Sequence, residues 1–242
     1  MDAPDPVNDR PDRSRSRERD DLQAQRVATA FTIAATGLAA WSLFPGFPAG
    51  QLVAVLVAMP LLALILALRF PARFRIGLGV GYAAANLGTG CMVASGGLLA
   101  RTLSDINLVS WLSLTAFAVA VAIIFLIVAA RFEPQLRRRG WRLLLAAISV
   151  GAYAFGALGQ FNSALDHSAP ALLRGRVLAK HLGQSRIATH QITLQSWGPF
   201  ATPNDAHVTQ ALYERLRAGD TVCLSLHDGA FRMAWFTVAA CR

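Results

Sequence analysis

The chain has 242 residues, of which 54% are hydrophobic and only 15% are charged, with a formal net charge of +9. Soluble globular domains usually contain about 25% charged residues, so this composition argues against an ordinary soluble protein. Nucleic acid is excluded as a partner despite the basic charge, because the arginines lie between apolar segments rather than on one soluble face.

Residues 1–26 alternate acidic and basic side chains and contain few apolar residues. Such a segment cannot bury enough apolar surface to fold by itself, so it is predicted to be a disordered cytoplasmic tail.

Four long uncharged stretches follow the tail, at residues 27–68, 76–100, 106–130 and 143–165. A membrane-spanning helix requires roughly 20 apolar residues, and the first stretch is long enough for two such helices joined by a Pro-Gly turn. The sequence therefore predicts an all-α transmembrane bundle of about five helices over residues 27–161. The five predicted spans are residues 27–44, 51–70, 76–100, 106–130 and 143–161.

The third predicted span is rich in glycine. Gly77 and Gly81 stand four residues apart, and Ala85 extends the same helix face. Small residues at this spacing let two helix backbones approach closely. These three residues are therefore predicted to form a helix-packing face, either at the centre of the bundle or between two copies of the chain.

The arginines predict which way the helices cross. Cytoplasmic loops are enriched in Lys and Arg, and every arginine before residue 162 except Arg101 lies in the tail or in the segments 69–75 and 131–142. The near-absence of lysine is typical of a GC-rich bacterial genome. The pattern predicts a multi-pass protein of the plasma (inner) membrane, with a cytoplasmic N-terminus and a periplasmic or extracellular C-terminal domain.

Residues 162–242 have a different character and are predicted to form a small α+β domain with the order strand, strand, helix, strand, strand. The runs at residues 176–182 and 187–197 flank Gly183 and predict a hairpin. A helix is predicted to start at residues 203–205 and to stop at Gly219. Asp228 and Gly229 predict the turn of the final hairpin.

Two of the three cysteines, Cys223 and Cys241, lie in this domain, whereas Cys91 is predicted to be a packing residue. Disulfides persist in oxidising compartments, so Cys223 and Cys241 either form a disulfide or remain two separate buried thiols. They do not lie directly opposite each other in the predicted hairpin, which counts against the bond.

No combination of residues indicates catalysis or metal binding. Asp166, His167 and Ser168 are neighbours in sequence, but a catalytic triad is defined by its geometry. The five histidines match no zinc-ligand spacing. The sequence therefore predicts no catalytic, cofactor-binding or metal-binding residue and leans against an enzyme.

The segment ALYERLRAGDTVCLSL at residues 211–226, followed by Gly229 and Trp235, resembles the end of uncharacterised bacterial inner-membrane proteins that carry a small β-rich C-terminal domain. The resemblance covers the C-terminal domain alone and implies no activity or site residues.

The resulting hypothesis is a non-enzymatic protein that anchors an outer interaction domain in the lipid bilayer. The domain would bind another envelope protein or a second copy of the chain, through a sheet edge or the helix at residues 208–216. One alternative is a small transporter or channel subunit, although no predicted span contains a charged residue away from its ends. The other is a membrane enzyme acting on envelope or lipid substrates, with His167, Asp166 and Arg174 as the nearest candidates.

Overall fold

The computed structural model describes residues 10–42, 49–76, 85–132, 140–182 and 190–241. Within these residues the α-helices are α1 (Arg10–Ser42), α2 (Ala49–Arg69), α3 (Gly88–Asp105), α4 (Trp111–Phe132), α5 (Gly140–Ala164) and α6 (Gln210–Arg215). The strands are β1 (Phe74–Arg75), β2 (Ala85–Asn86), β3 (Asn107–Leu108), β4 (Ala171–Leu182), β5 (His190–Leu194), β6 (Asn204–His207), β7 (Thr221–His227) and β8 (Trp235–Ala240).

For residues 10–26 the structure has a helix where a disordered tail was predicted, because α1 begins at Arg10 and continues without a break into the apolar segment. Residues 1–9 of the predicted tail lie outside the described residues. The last part of this segment contacts the rest of the chain. Ala24 and Ala28 are buried in a cluster that includes Phe74, and Asp20 forms a 2.6 Å ion pair with Arg73. The rest of the chain therefore supplies the contacts that the local composition lacks.

The prediction of five spans is wrong in number, since three helices in the described part of the chain are long and apolar enough to cross a membrane. They contain the segments Gly50–Arg69, Trp111–Val128 and Gly140–Ala164. The uncharged part of α1 ends with the helix at Ser42, and α3 begins only at Gly88 and carries Arg101 and Asp105 near its end. Each therefore offers fewer than the roughly 20 apolar helical residues that a span requires.

Close contacts between small residues hold α1 against α3. A Cβ atom at Gly97 would lie 2.7 Å from Cβ and 2.8 Å from Cα of Ala39, and one at Gly90 would lie 2.5 Å from the Phe31 ring. Phe31 precedes Ala39 in α1 just as Gly90 precedes Gly97 in α3, so the two helices run parallel. Glycine is required at Gly97 because the obstructing atoms belong to the neighbouring helix backbone and its first side-chain atom.

Helix α5 packs on another side of α3 in the same manner. A Cβ atom at Gly156 would lie 2.8 Å from Leu98 Cγ, and one at Gly159 would lie 2.6 Å from Thr102 Cγ2. Thr102 is fully buried and its hydroxyl donates to the carbonyl of Gly156 at 3.0 Å. Helix α3 is therefore the centre of the bundle, with α1 and α5 running parallel to it.

The helix-packing face predicted from Gly77, Gly81 and Ala85 is not the one described here. Gly77 and Gly81 lie outside the described residues. Ala85 lies in the short strand β2 and pairs with Phe74 of β1, so it does not continue a helix face. The third helix has the predicted central position, but other glycines provide its contacts.

The two ends of the bundle differ in the residues and segments that lie there. The ion pair between Asp20 and Arg73 brings the first part of α1 to the connection after α2. At the other end, Arg101 of α3 donates to the carbonyl of Ser42, where α1 ends, at 3.0 Å. The sheet domain follows α5 at this second end, away from the segment 69–75 and its arginines.

The sheet domain is an antiparallel sheet with the strand order β3-β8-β7-β4-β5-β6. The long strand β4 pairs with β7 along its first half and with β5 along its second half. On β4 the inward positions Gly175 and Val177 are buried and the outward positions Arg174 and Arg176 are exposed. The core between the strands consists of Val177, Ile192, Leu194, Trp197, Ala206, Leu216, Val222, Leu224 and Phe236.

The domain class is as predicted, but its element order differs. Residues 204–207 form strand β6 where a helix start was expected, and the helix begins later, with the Thr209 hydroxyl accepting from the backbone N–H of Leu212. Strand β3 comes from the connection between α3 and α4 and pairs with β8. The sheet is thus completed by residues from within the helical region.

Candidate functional site

The junction between the helices and the sheet domain contains a network of polar side chains and backbone groups, and Asn162 lies at its centre. This residue is fully buried near the end of α5. Its Nδ2 donates to the carbonyl of Met233 at 2.7 Å, and its Oδ1 accepts from the backbone N–H of Phe231 at 3.0 Å. Its own carbonyl accepts from the N–H of Ala230 at 3.1 Å. Asn162 therefore fixes the loop between β7 and β8 to the helix.

Asp166 adds a second connection to the same loop. Its carboxylate accepts from Trp235 Nε1 at 2.8 Å, from the Gly229 N–H at 2.9 Å and from the Ser168 N–H at 2.8 Å. These donors, led by the Ser168 amide, hold the pKa of Asp166 well below its usual range. Asp166 is therefore an ionised acceptor at neutral pH and is unsuited to act as a general acid.

Gly229 explains why the loop can approach the helix so closely. Its φ of 80° lies in the left-handed region that glycine adopts without strain. A Cβ atom at this position would also collide with the Met233 carbonyl and with the Asn162 amide, 2.6 Å away. The Asp-Gly pair predicted a turn, which favours glycine for its backbone conformation. The close approach to Asn162 is a second reason why position 229 requires glycine.

Asn107 of β3 connects the two outermost strands of the sheet. Its Oδ1 accepts from the backbone N–H of His207 at 2.7 Å, and its Nδ2 donates to the carbonyl of the same residue at 3.0 Å. Because β3 and β6 are the opposite edges of the sheet, this amide closes the sheet on itself. The described strands therefore present no free edge at this point.

An apolar contact lies beneath the network. Met233 and Trp235 pack against a buried cluster that includes Leu108, Leu114 and Phe155. The Ala234 carbonyl also accepts from the backbone N–H groups of Val109 and Ser110, and the Ala234 N–H donates to the Ser110 hydroxyl. Polar and apolar contacts together attach the domain to α4 and α5 over an extended surface rather than through one linker.

A second polar cluster crosses strands β4, β5 and β6. The ring of His181 is 3.0 Å from Gln191 Oε1, and Gln191 Nε2 is 3.4 Å from His207 Nε2. Burial lowers the pKa of His207, and His181 adds to this effect, while Asp205 opposes it. Within the described residues, no group of three or more His, Cys, Asp or Glu side chains could hold a metal ion.

Cys223 and Cys241 are joined by a disulfide with a Cα–Cα distance of 5.0 Å. Cys223 pairs with Ala239 in the ladder between β7 and β8, so Cys241 is its diagonal neighbour. The objection that the two residues are not directly opposite each other does not prevent the bond, because Cys241 follows the last residue of β8 and its Cα lies within the usual disulfide range of the Cys223 Cα. Cys91 is a free thiol.

The three residues considered for an enzyme have separate roles. Asp166 binds the β7–β8 loop. The His167 ring is exposed and its Nδ1 lies 2.8 Å from the carbonyl of Leu165. Arg174 lies on the outward side of β4, where it pairs in register with Cys223. None of these contacts orients one of the three residues toward another.

Arg101 was expected in a loop, but it is a buried residue of α3. Besides its bond to Ser42, it forms an ion pair with Asp105 one turn later. Because Arg101 directly follows an uncharged stretch, local sequence alone predicts that the span ends before it. Here the helix continues because the end of α1 and Asp105 satisfy the guanidinium.

Sequence reasoning missed Asn107 and Asn162, the two residues that organise the junction. The one signal in the sequence was that each residue is an amide within an uncharged stretch. A buried amide requires hydrogen-bond partners, so such a residue is a candidate for a structural contact. Their partners His207 and Met233 lie 100 and 71 residues away in sequence, so the role of each residue could not be read locally.

Comparison with known proteins assigns no family, since no family model, no curated protein and no solved structure matches the chain. The resemblance to bacterial inner-membrane proteins with a β-rich C-terminal domain stays a prediction.

Proposed function

We propose that the chain is a multi-pass bacterial inner-membrane protein that holds its sheet domain in a fixed orientation outside the cytoplasm, as a binding module for another envelope protein or a second copy. The single observation that carries the proposal is the insertion of β3 into the sheet. A domain that only had to be tethered would need one linker. This domain is completed by the helical region and attached through Asn107, Asn162 and Asp166.

The outward surfaces of the helices support a location in the bilayer. Only 11% of the segment Trp111–Val128 is buried by the rest of the chain, and its exposed side chains include Phe117, Ile123 and Ile127. Exposed apolar patches beyond a few hundred Å² are rare on soluble monomers. A lipid environment accounts for this surface without requiring a partner protein.

The distribution of arginines supports the orientation. Arg69, Arg73 and Arg75 lie at the end of the bundle opposite the sheet domain, and the positive-inside rule assigns such an end to the cytoplasm. Activity of alkaline phosphatase fused after Arg242, and inactivity of the same enzyme fused after Arg75, is the expected result. The reverse pattern would contradict the orientation.

The two binding surfaces predicted from sequence are occupied within the chain. Asn107 closes the sheet edges, and the helix region contributes Leu216 to the buried core, with Val208 and Leu212 packed against it. The remaining candidate is the outward face of β4, where Arg174, Arg176 and Leu178 are exposed. Two guanidinium groups beside a leucine fit a partner surface that combines acidic and apolar side chains.

The binding proposal is tested by co-purification from detergent extracts. Arg174→Glu combined with Leu178→Asp should remove the bound protein, or abolish self-association, while the domain stays folded. Glu214→Arg is the matched control, because Glu214 is an exposed charged residue of α6 and does not belong to the outward face of β4. Identical partners for the wild-type, the double variant and a chain lacking residues 162–242 would overturn the proposal.

Buried Arg101 favours a transporter or channel subunit as the second candidate, since ionisable groups between membrane helices often line ion pathways. Solute or ion flux in proteoliposomes that is lost with Arg101→Leu, but retained with Arg142→Leu, would favour this candidate over a binding module.

A further inference from the structure

The loop between β7 and β8 has an exposed hydrophobic tip on a rigid base. Phe231 is 46% exposed, although Asn162 holds its backbone. Arg232 follows with a φ of 57°, the one positive value for a non-glycine residue in the described chain, and its N–H donates to the carbonyl of Gly229 at 3.0 Å. The turn therefore presents an aromatic ring and a guanidinium group to the surroundings.

Other apolar side chains at the same end of the domain are also exposed. Phe161 and Leu165 directly precede the two residues that bind the loop, Asn162 and Asp166. Leu172, at the start of β4, is 76% exposed. Exposed apolar side chains thus surround the loop where the domain meets the helices.

The depth of this surface follows from helix geometry. The segment Trp111–Val128 has 18 residues, which span about 27 Å, close to the hydrocarbon thickness of about 30 Å. Trp111 contacts Phe155 of α5, with ring centroids 5.7 Å apart, so both mark the outer boundary of the hydrocarbon. Asn162 lies about 10 Å further along α5, near the outside of a headgroup layer that is roughly 5–7 Å thick.

Met233 extends the loop toward the hydrocarbon, because it packs on the cluster with Leu114 and Phe155. The β7–β8 loop therefore passes through the headgroup layer. We propose that its tip is an interfacial membrane anchor, in which Phe231 inserts among the lipids and Arg232 binds a lipid phosphate. Aromatic rings favour this layer, and a guanidinium group forms charge-assisted hydrogen bonds with phosphate oxygens. The inference rests on the membrane location proposed above.

Nitroxide accessibility tests the anchor in the full chain. On a Cys91→Ala background with the disulfide intact, Phe231→Cys is spin-labelled in vesicles of phosphatidylcholine and phosphatidylglycerol. Labels in lipid are relaxed more by oxygen, and labels in water more by a nickel chelate. Leu182→Cys is the matched control, because Leu182 is 54% exposed at the opposite end of β4.

The expected result is a ratio of oxygen to nickel accessibility at position 231 several-fold higher than at position 182. A label at Ile124→Cys, on the exposed face of α4, separates the two proposals. Lipid-like accessibility at position 124 with water-like accessibility at position 231 would overturn the anchor alone, whereas water-like accessibility at position 124 would overturn the membrane location. A label at position 231 that neither reagent reaches would indicate a protein contact and would also overturn the anchor.

Discussion

In the sheet domain the large apolar side chains point inward, whereas in α2, α4 and α5 many of them point outward. Val177, Ile192 and Phe236 are buried in the domain, while Ile124 and Ile127 are exposed on α4. The interior of the bundle contains small residues such as Ala35 and Ala94 together with glycines. The two regions therefore differ in the way that the proposed location requires, with water around the domain and lipid around the helices.

This contrast implies different sources of stability. Removal of apolar surface from water stabilises the domain. Helices in lipid gain little from that effect, and they depend on close packing and interhelical hydrogen bonds, as between Thr102 and Gly156. Substitutions that enlarge a side chain between the helices should therefore destabilise the bundle most. Substitutions that remove a covalent bond or a hydrogen bond should destabilise the domain.

The largest effect is expected from Gly97→Leu in α3. The added side chain would collide with the backbone of α1 at Ala39, and such overpacking costs about 3 kcal/mol or more. The melting temperature in detergent should fall by many degrees and the monodisperse yield should drop. Gly96→Leu is the control, since no atom lies within 4 Å of a Cβ there. Equal losses in both variants would contradict the packing of α1 on α3.

Removal of the disulfide is the next test and concerns only the domain. Cys223 and Cys241 close a loop with a sequence separation of 18, for which chain entropy predicts a loss of about 3 kcal/mol. Cys223→Ala with Cys241→Ala should lower the unfolding midpoint of the domain and leave the helical signal unchanged. Cys91→Ala should change neither transition. A parallel loss of helix would indicate that the two regions unfold together.

Asn162→Leu separates the loop from α5. The Phe231 N–H and the Met233 carbonyl would lose their partner, and unsatisfied buried groups cost about 1–3 kcal/mol each. Amide hydrogen exchange at residues 229–234 should accelerate, with little change in the core of the bundle. Ser163→Ala, next in sequence, removes only a bond to Gln160 within the same helix and should leave that exchange as in the wild-type protein.

Asn107→Ala opens the sheet closure at a smaller cost of about 1–2 kcal/mol. Exchange should increase at β6, the edge strand that contains His207, while β7 and β8 stay protected. Unchanged protection of β6 would show that the ladder with β5 holds this edge without Asn107.

The smallest effect is a pH dependence of the domain. Because the folded pKa of His207 is lowered, the unfolded chain binds a proton at higher pH than the folded chain does. The stability linked to this histidine is complete above the unfolded value of about 6.5 and decreases as the pH falls toward the folded pKa. The unfolding midpoint should therefore drop between pH 7.5 and 5.5, and the drop should be smaller in His207→Gln.

The uncharged runs predicted α2, α4 and α5 to within about five residues, because such segments depend on composition rather than on distant contacts. Helix α3 was predicted to start at residue 76 and starts at Gly88, since uncharged composition alone does not separate a helix from the short strand β2 that precedes it. Its end was also missed, because the partner of Arg101 is supplied by α1.

The junction was the least predictable part. Strand β3 has two residues, too few for a local strand pattern, and it forms only because β8 provides its ladder. The pairing of β4 with β5 was predicted, because the two runs are neighbours in sequence on either side of Gly183. Nothing in the sequence indicated that the sheet edges would meet at Asn107.

The pairing of β3 with β8 has a consequence for synthesis. Ser110 leaves the ribosome 124 residues before Ala234, its hydrogen-bond partner. At translation rates of roughly 5–20 residues per second, the early strand waits about 6–25 seconds for the late one. During this interval the nascent polypeptide exposes an unfinished edge, so truncated products should be recognised by chaperones and proteases although every helix has already been made.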